Sequence, residues 1–215
     1  MKNILIILIA VISFSALAQT SGESVETKYQ KGMSKAFQLW DSEQSWEAAN
    51  MFERIATVEQ DNWLPPFYVA QINIFNSFTE KDKSKVTAQL NKARDFINDA
   101  MAISKDNPEI MVLEAQWYTA WVVFDGQQYG MKYSPKIAEL YQKALQLAPE
   151  NPRVVLGKAE WDIGSAQFFG QPVDKYCIDL NKAVALFDTF KPVGEFYPQG
   201  GKEYAMGVLE RTCKK

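Results

Sequence analysis

Glu160 and Asp162 flank Trp161, and Glu114 and Asp125 bracket the stretch that holds Trp117 and Trp121. Two carboxyl groups held roughly 5 to 9.5 Å apart can serve as the acid and the base or nucleophile of glycoside hydrolysis. No other catalytic route survives the composition. The chain contains no histidine, which removes the commonest general base, the triads and dyads built on it, and every imidazole-based metal site. The patterns G-x-S-x-G, G-x4-G-K-[ST], G-x-G-x-x-G and C-x-x-C are also missing. Residues two apart on a helix point in different directions, so Glu160 and Asp162 read as solvated or capping groups rather than a working pair. The expectation is a protein that is not an enzyme and uses neither cofactor nor metal.

The aromatic residues suggest binding instead. Trp117, Tyr118 and Trp121 lie close together, and Trp161 stands where a second copy of the same pattern places its equivalent of Trp117. Trp117 and Trp121, four apart, share a helical face. Flat rings on one face could stack on a sugar or clamp a partner's side chain, because they give large contact area at little rotamer cost. The same spacing also describes a buried core. In the stretch 108–125 only Glu109, Glu114 and Asp125 are charged, so most of that circumference must be covered by protein. Asn73, Asn76 and Gln116 are polar positions in otherwise apolar stretches, either donors to a ligand or merely exposed. Gln127 and Tyr129 fall in 125–133, which carries Gly126 and Gly130 and reads as a loop emerging on the same rim as 170–174. Long loops on one rim often recognise ligands, though glycine, glutamine and tyrosine there could equally do no more than cap and connect helices.

The elements that position these residues are announced by a repeat. Asn-Pro-x8-Trp-x6-Phe-x-Gly-Gln occurs from Asn107 to Gln127 and again, 44 residues later, from Asn151 to Gln171. A period of that size implies a helical array in which each unit covers its neighbour's apolar face. Asn107 and Asn151 are good N-caps with Pro108 and Pro152 at the first helical position. Ser134-Pro135 and Ser45 read as further N-caps, and Gly126 and Gly170 as left-handed C-caps. The helices then pair as 26–42 with 45–61, 65–79 with 83–105, 108–125 with 134–148 and 152–169 with 173–190, closed by a ninth at 200–213.

Each second helix carries a triplet at offsets of four and three: Ala48-Phe52-Ile55, Ala93-Ile97-Ala100, Ile137-Tyr141-Ala144 and Tyr176-Leu180-Ala183. This spacing, closest in Tyr141-x2-Ala144-x4-Pro149, resembles the second helix of the tetratricopeptide-like family. The repeat is longer than that family's usual 34 residues, and the first helices lack its Trp-x2-Leu-Gly-x2-Tyr spacing. Together with an export leader, Trp63-Leu64-Pro65-Pro66-Phe67-Tyr68, Asn151-Pro152-Arg153 and Tyr197-Pro198-Gln199-Gly200-Gly201 resemble a group of exported tetratricopeptide-like proteins of Gram-negative bacteria. The resemblance implies an all-α, right-handed solenoid of about four helical hairpins plus a closing helix. It also implies a binding scaffold, with an envelope protein or peptide as partner. A small-molecule or glycan module using a Trp-lined concave face is the alternative, and a carboxylate-based hydrolase comes third.

Residues 1–18 read as a signal peptide: Lys2, an apolar run from Ile4 to Phe14, then Ala16-Leu17-Ala18 before Gln19. The run falls well short of the ~20 residues of a spanning helix, so cleavage after Ala18 should leave no membrane span and a periplasmic or secreted chain. A flexible segment at 19–25 then precedes the repeat domain at 26–215. The chain's 23 basic and 26 acidic residues are scattered rather than striped, which argues against a nucleic-acid surface. If the helix at 173–190 and the closing helix run antiparallel, Cys177 and Cys213 meet at one end. A disulfide there is expected in an oxidising compartment.

Overall fold

The computed structural model describes residues 27–213. The leader and the expected 19–25 segment lie outside the described residues. Among the described residues the chain forms nine α-helices and one short 3-10 turn. They are α1 (Lys28–Asp41), α2 (Ser45–Val58), α3 (Leu64–Ser77), α4 (Lys83–Ile103), α5 (Pro108–Phe124), α6 (Gly126–Leu147), α7 (Pro152–Phe168), α8 (Cys177–Thr189) and α9 (Lys202–Cys213). Consecutive helices pack against each other, and α3, α5 and α7 also touch one another as the stacked first helices of successive pairs. The fold is an all-helical, tetratricopeptide-like solenoid.

Capping chemistry starts most of these helices. Asn107 accepts from the Glu109 amide at 3.0 Å, and Asn151 from those of Arg153 and Val154 at 3.0 and 3.4 Å. Thr27 and Gln30 form a reciprocal capping box at α1, and Asp82 accepts from Ser84 and Lys85 at α4. At the end of α7, Gly170 takes φ +64°. Its N–H bonds Gln167 and that of Gln171 reaches back to Ala166, which closes the helix as a Schellman motif.

Three expected boundaries are corrected. The segment 125–133 is no loop: α6 begins at Gly126, because the Asp125 carboxylate accepts from the Gln128 amide at 3.0 Å and nucleates the helix there. Gly126 is therefore a first-turn residue and not a left-handed C-cap, and Ser134-Pro135 is not a cap. Pro135 sits inside α6, on a side where Met131, whose carbonyl loses its donor, is 95% exposed, so water can take the donor's place. The Ser134 hydroxyl instead donates to the Gly130 carbonyl at 2.7 Å. Ser45 does not cap α2 either: its hydroxyl meets the Asn76 side chain, which ties α2 to α3.

The core runs as three overlapping apolar clusters, over α1–α5, α5–α7 and α7–α9. This near-neighbour arrangement is what a one-dimensional array of repeats produces. The triplets of the second helices supply its spine: Ala48, Phe52, Ala93, Ile97, Ala100, Ile137, Tyr141, Ala144, Leu180 and Ala183 are all buried. Gly157 on α7 lets Tyr141 approach so closely that a Cβ there would lie 2.7 Å from its ring. Cys177 and Cys213 are joined in a disulfide that ties the start of α8 to the end of α9.

Candidate binding surfaces

Four of the aromatic and polar candidates gather in one place. Trp117, Tyr118, Trp121 and Tyr129 form a continuous cluster with Tyr133 between α5 and α6, with neighbouring ring centres 4.8 to 6.3 Å apart. Trp117 is only 9% exposed and its indole N–H donates to the Leu90 carbonyl of α4 at 2.6 Å. The Arg94 guanidinium lies 5.3 Å from the Trp117 ring centre and pairs with Glu114 at 2.8 Å. Trp121 is buried with its N–H unpartnered. This cluster is wedged between helices, and its half-buried members are Tyr118, Tyr129 and Tyr133.

The other candidates disperse. Trp161 packs half-buried in the α5–α7 cluster, Asn73 is buried and donates to the Val69 carbonyl, and Asn76 holds Ser45. Gln116 is half-buried on α5 and Gln127 exposed in the first turn of α6. The four carboxylates of the hydrolytic reading are each engaged separately: Glu114 with Arg94, Asp125 as a cap, Asp162 with Lys158, and Glu160 with the Tyr204 hydroxyl. Burial raises the Glu160 carboxyl above its usual range, and the Tyr204 bond opposes that shift.

An arrangement not anticipated from the sequence covers the N-terminal ends of the first helices. Between α8 and α9 the segment 190–201 carries no helix and crosses back over the array. The Phe196 carbonyl accepts from the Tyr68 hydroxyl of α3 at 2.6 Å, and its ring packs on Tyr29 and Phe37 of α1. Tyr197 meets Trp63, just ahead of α3, and Gln30 of α1 donates to Glu195 at 2.7 Å. The Arg153 guanidinium of α7 lies 4.6 Å from the Phe190 ring centre and 6.0 Å from that of Tyr197. The visible signal was aromatic density, Phe190, Phe196 and Tyr197, in a stretch rich in proline and glycine.

Beneath this strap the repeat carries a charge pair. Glu109 and Arg153 occupy the same place in successive units, each two residues after its capping asparagine, 44 residues apart in sequence. Glu109 is 1% exposed and accepts from Arg153 Nε at 2.8 Å, from Arg153 Nη2, and from the Asn151 side-chain Nδ2 at 2.6 Å. Burial, with the Glu109 charge second, pushes the Tyr197 hydroxyl up to about 12 and raises that of Tyr68 further, while Arg153 opposes both.

The opposite ends of the first helices are bare. Phe75 and Phe78 at the end of α3, Val123 at the end of α5, and Phe168 and Phe169 at the end of α7 are all exposed, Phe168 by 78%. A depression of about 280 Å³ opens between the ends of α3 and α5, lined by Phe78, Ala120, Val123, Phe124 and Lys81 among others.

The fold is a helical-repeat architecture of the tetratricopeptide-like class. No protein-family model matches the chain, and no curated protein does. Two solved structures are similar. The HusA haemophore from Porphyromonas gingivalis superposes with a TM-score of 0.76 at 23% identity, over 87% of this chain and 94% of that one. A thermophilic TPR protein of Thermus thermophilus gives a TM-score of 0.59 at 16% identity, over 87% and 92%. Among the described residues no helix is long and apolar enough to cross a membrane.

Proposed function

We propose that this chain is an exported, non-catalytic binding protein that holds a flat, largely apolar small molecule of the porphyrin class at the C-terminal ends of its first helices. The observation that carries the reading is the α3–α5 depression with exposed Phe78 and Val123 in its lining, together with exposed Phe75, Phe168 and Phe169 at the same ends of the first helices. Aromatic faces suit a planar macrocycle, and Lys81 in the lining suits its carboxylates, with Glu80 of the same lining paired to Lys85. The likeness to a haemophore over nearly its whole length supports the same ligand class. Export is supported by the leader pattern of residues 1–18 and by the 177–213 disulfide, a bond typical of oxidising compartments. The non-catalytic reading is supported by the separate structural engagement of each candidate carboxylate.

With no histidine in the chain and both cysteines joined to each other, neither imidazole nor thiolate can ligate iron, and ring-face contact would supply the affinity. Titration with protoporphyrin IX and with haemin, followed by the porphyrin absorption band and by quenching of tryptophan fluorescence, tests this. Saturable binding of both is expected, weakened about tenfold, or roughly 1.4 kcal/mol, by Phe78→Ser with Val123→Ser. Absence of saturable binding, or binding indifferent to those changes, rejects the proposal.

A second reading, an envelope protein or peptide as partner, is favoured by one observation: the first-helix layer already grips a non-helical segment, its own residues 190–201. Crosslinking and capture of the exported chain from its envelope, with one stoichiometric partner, would support it.

A further inference from the structure

We propose that the N-terminal half of the first-helix layer is a recognition groove for acidic-aromatic-aromatic-proline segments presented as a turn, and that Glu195-Phe196-Tyr197-Pro198, whose turn is closed by the Tyr197 N–H on the Gly194 carbonyl at 3.3 Å, is its resident, releasable occupant. One backbone carbonyl is held by a side-chain donor, Tyr68 to Phe196 at 2.6 Å. A polar side chain meets the acidic position, Gln30 donating to Glu195 at 2.7 Å. Two aromatic pockets take successive rings: Tyr29 and Phe37 receive Phe196, and Trp63 with Arg153 receives Tyr197. Pro198 is buried and, with its fixed φ, restricts the chain as it leaves the turn, so that less entropy is lost on docking.

Several features fit an occupant rather than a fixed part of the fold. The segment makes no helix and no sheet, and Lys191 to Glu195 are all exposed. Phe196 is held at φ +59°, a left-handed conformation that a bulky side chain adopts at a cost. Both ends are anchored independently: α8 and α9 share the apolar cluster of α7–α9 and are joined by the Cys177–Cys213 bond. Releasing the strap therefore leaves the array and its closing helix in place. Kept this close, the strap acts at a millimolar effective concentration. A competing partner must carry the same pattern or meet the groove when the strap is off. The inference holds whether or not the opposite ends of the helices take a porphyrin.

The test uses a fluorescent peptide of residues 190–201 and a full-length variant in which 192–198 is replaced by a Gly/Ser linker of equal length. The peptide is expected to bind the variant saturably. It should bind the intact chain at least about tenfold more weakly, because only the open fraction of the intact chain is competent. A peptide with both Phe196→Ala and Tyr197→Ala should not compete. Equal binding to both proteins, or none to a variant that melts cooperatively with native helix content, overturns the proposal. Should the variant not fold, Tyr68→Phe in the intact chain serves. Native-state hydrogen exchange is then expected to rise about fivefold at 190–201, from loss of one hydrogen bond of ~1 kcal/mol, with the amides of α3 and α7 unchanged. Exchange of the strap only together with the helices would show that it is not separable, and the proposal would fall.

Discussion

Replacing Glu109 by alanine removes the acceptor for three buried donors at once. Its carboxylate takes Arg153 Nε and Nη2 and the Asn151 side-chain Nδ2, while Arg153 Nη1 already has no partner. The arginine side chain is only 12% exposed, so it cannot recover its bonds from water without moving out from under Phe190 and Tyr197. Each stranded donor costs ~1 to 3 kcal/mol, and breaking one side of a buried pair costs ~3 to 5 kcal/mol. The two routes agree on a loss near 4 kcal/mol, a large part of the ~5 to 15 kcal/mol that holds an ordinary domain together. Urea unfolding of wild type, Glu109→Ala, Arg153→Met and the double variant measures it. The double variant is expected to be more stable than Glu109→Ala, because it no longer buries an unpaired guanidinium. A loss below about 1 kcal/mol for Glu109→Ala, or strictly additive single effects, would refute the claim that these two repeat positions act as a buried pair.

Three further outcomes are expected. Gly157→Ala should cost ~1 to 3 kcal/mol, because the new Cβ would lie 2.7 Å from the Tyr141 ring, and Tyr141→Leu in the same chain should recover part of that loss in a thermal melt. Reduction of Cys177–Cys213, which closes a loop of sequence separation 36, should lower stability by ~3 to 4 kcal/mol in the chain-entropy model, read as a shift of the urea midpoint with and without reductant. Stability should hold up to about pH 10, where unfolded tyrosine ionises, and then fall. The hydroxyls of Tyr68, Tyr141 and Tyr197 are raised by burial, that of Tyr197 to about 12, so above pH 10 the unfolded chain loses protons that the folded one keeps. Tyrosinate absorbance rising as one transition near pH 10 for all nine tyrosines would contradict this.

The repeat and its caps were legible because they are local. Asn107-Pro108 and Asn151-Pro152 start helices through bonds to amides two and three residues on, and the four-and-three triplets needed only helical periodicity to mark the buried face. The break at Gly126 was misread for the same reason: a glycine after a long helix signals a stop by propensity, but the Asp125 carboxylate restarts a helix at once, and Pro135 is tolerated where its helix faces water.

What the sequence by itself determined is the helical class, the order and pairing of the helices and the burial of the second-helix triplets apart from the half-buried Ile55 and Tyr176, all of which follow from short-range periodicity and capping. Only the tertiary structure decided that Trp117 bonds Leu90 inside the array, that Glu109 and Arg153 pair across 44 residues, and that 190–201 folds back over the first helices. These contacts depend on the rise and rotation between stacked units, which set which side chains meet and which stay bare. That geometry belongs to the assembled core and is written in no single segment of the chain.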